Sequence, residues 1–483
     1  MRLRNISYIL GGFLFFLGLS MLFPLLWSIY YKDDDCFALI LSLVITSATG
    51  IVLYFFSRPS DQDISLNHKE GFLVVTCGWI LAAICGSLPY LLYGALPSFS
   101  DAFFESISGF TTTGATVIVG IEHLPHGILF WRSMTQWLGG MGIIVLSIAI
   151  LPLLGVGGMQ LYKAELPSPV KDKLTPRVTE TARTLWIVYI IISTVEFILL
   201  LFGGMDSFNA LCHTFCTMAT GGFSTTDASI AYFQSAYIDG VITLFMFIAG
   251  INFTLHYGLL TGNFRSLFSN SEFRFYCGIT LTAIIIVTLN LRFNLIEETT
   301  TCIRYAAFQV ISILTTTGFA TANFDEWPSL SKTILLILMF FGGSAGSTGG
   351  SIKCLRILLI LKHGYVELYR LVHPHAVKAV KLGKRIVYPE TMASIWGFFI
   401  LYLGTTVVAF ILLAALGLDP MTAFSAVVAT IGNIGPGFGL VNAASTYSDI
   451  PTLAKWILSF CMLVGRLEIY TVLILLIPEF WKK

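Results

Sequence analysis

Charge is what this chain has least of: Asp, Glu, Lys and Arg make up 11% of its 483 residues, against about a quarter in ordinary soluble domains. That scarcity excludes a soluble globular protein, and a net charge of +1 gives no reason to expect a nucleic-acid partner. No long polar interval exists to house a separate soluble domain; the longest hydrophilic stretch is residues 353–385. Cysteine pairs are absent too. Nine cysteines are scattered singly with no C-x-x-C, which argues against a disulfide framework or a redox pair. No H-E-x-x-H and no paired membrane aspartates occur, so neither an enzyme nor a resident cofactor is expected.

What fills the chain is apolar residues, 56% of the total, with mean hydropathy +0.82. A spanning helix needs roughly 20 apolar residues, and such stretches recur from Ile6 onward. The fold class expected is an all-α polytopic membrane protein. The first apolar stretch follows Arg2 and Arg4 and runs to Tyr31 without a small-residue cleavage site, which reads as a retained spanning helix rather than a leader.

Four short segments interrupt this background. They are AFFESISGFTTTGAT, NALCHTFCTMATGGFST, AAFQVISILTTTGFAT and AFSAVVATIGNIGPGFG, with glycines Gly114, Gly221, Gly318 and Gly435 at intervals of 107, 97 and 117 residues. Twelve residues upstream of the glycine stand Ala102, Ala306 and Ala423 in the first, third and fourth segments, and ten upstream stand Phe104 and Phe308 in the first and third. Such recurrence marks an internal repeat. It predicts four pseudo-four-fold units, each helix, short pore helix, loop and helix, around a central pore. Residues 1–70 form two accessory helices, and the repeats occupy residues 71–160, 161–265, 266–386 and 387–483, giving about ten spans.

Lys and Arg placement sets the orientation. One side, made of residues 1–5, 57–71, 158–183, 263–275, 353–386 and 482–483, collects 21 of the 28 basic residues. That side is expected to be cytoplasmic, with both termini on it. No Lys or Arg lies between Arg183 and Arg265 or between Arg385 and Lys455, so the loops face outward. There the carboxylates of Asp33, Asp34, Asp35, Asp101, Glu122, Asp206, Asp227, Asp239, Asp325, Glu326, Asp419 and Asp449 would concentrate cations at a mouth or serve as solvated loop residues.

Polar backbone at membrane depth persists only where protein buries it or where it lines water. Backbone carbonyls from four converging loops can replace a cation's water shell without a fixed charge that would trap the ion. Glycine suits the point where the chain turns its carbonyls inward, because it adopts positive φ at little cost. Each short helix then aims its partially negative C-terminal end at a cation beneath.

At FTTTGAT, MATGGFST, LTTTGFAT, GGSAGSTGG, IGNIGPGFG and VGRLEIY the chain resembles the Trk/Ktr/HKT superfamily of potassium transporters, and among them the TrkH-type membrane subunit of bacteria. The resemblance covers essentially the whole chain. It implies that Thr112, Thr113 and Gly114, Ala219, Thr220 and Gly221, Thr316, Thr317 and Gly318, and Asn433, Ile434 and Gly435 form a selectivity filter that binds potassium. Glycine in all four loops resembles the potassium-selective pattern. The fourth loop, with Ile434 and Pro436 around its glycine, departs furthest from the others. The implied function is potassium uptake across the bacterial inner membrane through a gated pore, with a proton- or sodium-coupled symporter as the alternative. The implied partners are a second copy of the chain, surrounding lipid, and a cytosolic TrkA-like nucleotide-binding subunit.

Residues 342–351 read GGSAGSTGGS, five glycines and three serines in ten residues, and each glycine costs a helix about 1 kcal/mol relative to alanine. The composition predicts a hinge, a plug or a close helix contact; it is not a nucleotide loop, since Cys354 follows Lys353 and no strand precedes it. The resemblance implies an intramembrane gate beneath the filter built on Gly342, Gly343, Gly346, Gly349 and Gly350. Arg466 stands eleven residues below Lys455 on the last helix, about 16 Å deeper. A charge at that depth is functional by default: it faces a cavity and anchors the glycine loop, or pairs with Glu468 or Glu196. Gly139, Gly140 and Gly142 are assigned to helix packing. Cys212, Cys216 and His213 could hold a metal, with packing inside a pore helix as the simpler account.

Overall fold

The computed structural model describes residues 2–58, 67–145, 174–295, 298–383 and 385–482. Two apolar passes come first, Leu3–Tyr31 and Cys36–Phe56. Small residues bring them together: a Cβ on Gly50 would stand 2.4 Å from the Phe15 nitrogen, and one on Gly18 2.2 Å from Ser47 Oγ. Packing through small residues is how apolar helices associate where lipid is as apolar as leucine.

Four units follow, each opening on a long apolar helix: Lys69–Tyr93, Thr181–Phe202, Ser271–Asn294 and Pro389–Ala415. A short helix comes next: Phe99–Phe110, Ser207–Met218, Thr299–Leu314 and Pro420–Ile431. Three have twelve residues and Thr299–Leu314 has sixteen, about 18 and 24 Å at 1.5 Å per residue, too little to cross a hydrocarbon core of about 30 Å, so each enters and returns as a loop. Asp206 and Asp419 start the second and fourth of these helices by accepting the Asn209 and Thr422 N–H groups at 3.0 Å. The outer faces of the long helices present Phe16, Phe55, Phe202, Ile285 and Ile411, an apolar belt suited to lipid.

Only the third of the units is expected from sequence to have a broken second helix. The structure breaks three. In the second unit Ala236–Ala249 bends by 103° into Phe253–Leu260, and in the fourth Thr452–Arg466 bends by 118° into Ile469–Leu476. Asn252 restarts the chain after the first bend by accepting the Thr254 N–H at 2.8 Å. At the second bend Glu468 takes φ +59°, which ends a right-handed helix. In the third unit Ser329–Leu338 and Cys354–Val372 flank the glycine-rich stretch. Six helices are long and apolar enough to cross a membrane, and the two bent pairs raise this to eight among the described residues. His126–Val145 and the interrupted helix of the third unit take the corresponding place in their repeats. A two-stranded sheet, Lys381–Leu382 against Arg385–Ile386, sits on the basic stretch and is the only sheet among the described residues.

Candidate ion pore

Each short helix ends in the same backbone turn. The residue after the C-cap is left-handed, with φ +52° at Thr112, +53° at Thr220, +61° at Thr316 and +54° at Asn433. Its N–H reaches back three residues, and the next N–H reaches back five: Thr113 to Ser108, Gly221 to Cys216, Thr317 to Ser312 and Ile434 to Ala429, all at 2.8 Å. This satisfies carbonyls that a helix end otherwise leaves open. Left-handed backbone at a β-branched threonine is strained, and such strain concentrates at functional sites. Here it occurs at the same point in three loops.

The glycine that follows is also left-handed, with φ +82° at Gly114, +77° at Gly222, +83° at Gly318 and +99° at Gly435. A Cβ on Gly114 would stand 2.1 Å from the Gly221 oxygen, one on Gly222 2.0 Å from that of Thr317, one on Gly318 1.9 Å from that of Ile434, and one on Gly435 2.6 Å from that of Thr113. Each glycine thus lies against the carbonyl of the next loop, and the four loops close a ring. Two independent requirements, positive φ and no room for a side chain, select glycine at these four positions.

The ring corrects the sequence register in the second loop. Gly222, not Gly221, matches Gly114, Gly318 and Gly435; the equivalent stretch is Thr220, Gly221 and Gly222, and Ala219 falls at the helix C-cap. The signal was present in the sequence. Counting twelve residues back from Gly222 gives Ala210, which restores the alanine missing from the second repeat, and Ala102, Ala210, Ala306 and Ala423 are all fully buried. Two adjacent glycines in GGF made the pairing ambiguous to a count of glycines alone.

Residues 342–351 lie directly below this ring. Thr348 Oγ1 donates to the Met218 and Ala249 carbonyls at 3.1 and 3.3 Å, and the Gly350 N–H donates to Thr316 Oγ1 at 2.6 Å. A Cβ on Gly350 would stand 2.3 Å from the Gly432 oxygen, and one on Gly349 3.0 Å from that of Thr315. These contacts touch the base of the second, third and fourth loops. Gly342 and Gly343 tie the ends of the segment: the Gly342 N–H donates to Ile352 at 2.8 Å, and the Cys354 N–H to Gly343 at 3.2 Å. Gly346, at φ +76°, accepts the Phe253 N–H at 3.1 Å while Ser344 N–H donates to Gly250 at 2.8 Å. The segment therefore rests on the break of the second unit. Ser344 also completes the letters G-x-S-x-G, but its hydroxyl has no hydrogen-bond partner, and no strand leads into it.

Arg466, 3% exposed, donates through Nη1 to the Thr348 carbonyl at 2.7 Å. Glu468, the alternative partner suggested by sequence, pairs with Arg356, and the Glu196 carboxylate has no hydrogen-bond partner. The three helix breaks thus meet under the ring. The Lys353 ammonium donates to the Gly349 carbonyl, and one Glu272 oxygen accepts the Ala345 and Leu355 N–H groups at 2.7 and 3.1 Å.

Several supports escape sequence reading because their partners are far away in the chain. Arg132 pairs with Glu105 at 2.9 Å with both side chains buried, donates to the Ser224 carbonyl at 2.9 Å, and stacks over Phe223. Asn433 Nδ2 bonds Thr113 Oγ1 at 2.9 Å and the Met462 carbonyl at 3.0 Å. The only sequence hint of these was a polar side chain inside an apolar segment. Acidic residues expected to crowd a mouth are largely engaged between units instead: Asp227 with Gly120 and Ile121, Asp325 with Gly439, Asp101 with Lys455, and Asp33 and Asp35 with the N–H groups of His126 and Ile128. Gly139 and Gly140 press on Phe110 and Ala219, as close packing requires. His213 uses its ring nitrogens on Asn209 and Ser224.

The arrangement is a ring of backbone oxygens at the ends of four converging helix dipoles, closed below by a loop, which is suited to dehydrating and passing a cation. A family model described as cation transport protein, TrkH, matches residues 37–483. The Trk system potassium uptake protein TrkH of Salmonella typhimurium is 44% identical over 488 positions, covering all of both chains. TrkG of Escherichia coli, also a Trk system potassium uptake protein, is 37% identical and covers 100% of this chain and 99% of its own. The crystal structure of the potassium transporter TrkH from Vibrio parahaemolyticus superposes with a TM-score of 0.92 at 40% identity, covering 100% of each chain. With ring, interrupted helices and full-length likeness in agreement, the chain belongs to the TrkH family of cation transport proteins.

Proposed function

We propose that the chain conducts potassium inward across a bacterial inner membrane through a filter formed by Thr112–Gly114, Thr220–Gly222, Thr316–Gly318 and Asn433–Gly435. The observation that carries this reading is the closed ring in which each of Gly114, Gly222, Gly318 and Gly435 lies against the next loop's carbonyl. A ring built of carbonyls and left-handed glycines gives neutral oxygens in fixed positions, which favours a weakly hydrated monovalent cation over one that must be stripped at greater cost. Residues 342–351 and Arg466 form the gate: the loop fills the path below the ring, and the guanidinium places a positive charge beside it.

The basic face, including residues 353–386, is cytosolic on this reading and carries both termini. A second copy of the chain and a nucleotide-binding regulatory subunit complete the assembly, the latter docking on the basic face and moving the loop. Purified protein in liposomes tests the core of the proposal. An inward potassium gradient should drive uptake that sodium competes with poorly, and a reversal potential independent of a proton gradient marks a pore rather than a coupled symporter. Equal sodium and potassium permeability would overturn it.

A further inference from the structure

Loop two differs from the others in having two consecutive glycines, Gly221 and Gly222, where loops one and three have Thr113–Gly114 and Thr317–Gly318. A Gly–Gly peptide has the widest backbone freedom of any pair, so nothing in its own sequence holds the Gly221 carbonyl in the ring. The restraint comes from another repeat. Gln136, fully buried on His126–Val145, donates from Nε2 to the Gly221 carbonyl at 2.8 Å and accepts the Phe223 N–H on Oε1 at 3.1 Å. These two bonds bracket Gly222. One helical turn away on the same face, Arg132 holds the Ser224 carbonyl.

The side chain also fills a specific space. A Cβ on Gly221 would stand 2.4 Å from the Gln136 amide carbon and oxygen, so the carboxamide occupies the direction in which loops one and three project threonine. There the threonine hydroxyls brace their own loops, Thr113 against Thr111 and Thr317 against Thr315, at 2.8 Å. In loop two the brace is supplied from outside. A carbonyl has two lone pairs, so Gln136 uses one and leaves one for an ion.

Building on the filter reading above, we propose that Gln136 is a positioning residue for cation selectivity: it replaces in loop two the threonine brace of loops one and three and fixes the Gly221 carbonyl in the ring. Losing a buried hydrogen bond to this carbonyl should relax potassium over sodium discrimination by roughly three- to tenfold.

The test measures sodium-to-potassium permeability ratios in liposomes for wild type, Gln136→Met, Gln136→Ala and the triple variant Gln136→Ala/Ala219→Thr/Gly221→Thr. Methionine keeps length and apolar packing but cannot donate, so discrimination should fall while the protein inserts and conducts. The C-cap residue that receives the brace is Thr111 in loop one and Thr315 in loop three but Ala219 in loop two, so the triple variant supplies both hydroxyls of the threonine brace in the vacated space and should recover discrimination relative to Gln136→Ala, a recovery that a merely structural glutamine would not give. The inference is overturned if Gln136→Met discriminates as wild type does, or if the triple variant remains as unselective as Gln136→Ala. Wild type separates the two failures: no potassium preference there sinks the filter reading, whereas preference intact in wild type and Gln136→Met sinks only the role of Gln136.

Discussion

Arg466 and Thr348 are joined by one hydrogen bond, Nη1 to the carbonyl oxygen at 2.7 Å, although 118 positions separate them in the chain. The bond ties the break of the last helix to the loop that interrupts the third unit. Nε and Nη2 of the same guanidinium make no hydrogen bond, so its charge is only partly compensated in a buried setting.

Replacing Arg466 by alanine should therefore raise unidirectional potassium flux, both by freeing the loop and by removing a positive charge. At about 8 Å and an effective dielectric of about 20, the repulsion of a passing cation is roughly 2 kcal/mol, over tenfold in rate if that point limits. Lysine keeps the charge but loses the planar donor geometry. Flux in Arg466→Lys close to wild type assigns the barrier to charge, and flux close to Arg466→Ala assigns it to the Thr348 bond. Unchanged flux in a well-inserted Arg466→Ala protein removes Arg466 from the gate.

Excision of residues 343–349 should raise basal flux and keep selectivity. The ends of the segment already touch, with the Gly342 N–H bonded to Ile352 and a Cβ on Gly342 only 2.1 Å from the Gly350 oxygen, so the join needs little rearrangement. Ion flux and permeability ratios on the same vesicles check it. A deletion protein that inserts but conducts no faster makes the segment a packing element.

Gly114→Ser should admit sodium relatively better. Its φ of +82° costs a non-glycine residue roughly 1–2 kcal/mol, and the new side chain collides with the Gly221 carbonyl 2.1 Å from the Cβ position. Gly222→Ala should behave alike, since a Cβ there meets the Thr317 oxygen at 2.0 Å. A sodium-to-potassium permeability ratio unaltered in both variants contradicts the ring assignment.

The Arg132–Glu105 pair predicts an asymmetry in stability. Removing one partner leaves a buried charge unpaired and should cost about 3–5 kcal/mol, read as a lowered melting temperature of Arg132→Met or Glu105→Leu in detergent. The double apolar variant should recover much of the loss, because neither charge then remains to be solvated. Single variants as stable as wild type would show that the pair contributes nothing beyond packing.

The membrane class, the repeat and the break in the third unit's second helix were legible because each depends on local composition: apolar runs of bilayer length, a recurring alanine-to-glycine spacing, and a run of glycines that no helix tolerates. Arg466 was legible as a buried charge, but not its partner. Two carboxylates, Glu468 on the same segment and Glu196 on a distant helix, were as available to a reading of the sequence as Thr348, whose backbone carbonyl leaves no mark in it.

What the sequence by itself determined was therefore the kind of protein, its four glycine-bearing loops and the glycine-rich interruption of the third unit. Tertiary structure alone decided the breaks in the second and fourth units and the bracing of Gly221 by Gln136, and it chose between the two adjacent glycines of the second loop, where the sequence held only the spacing from Ala210. The reason is physical. Hydropathy and helix propensity act within a few residues, whereas the choice between Gly221 and Gly222 is made by the Thr317 carbonyl on another loop, and the Gly221 carbonyl is held by a side chain 85 positions away.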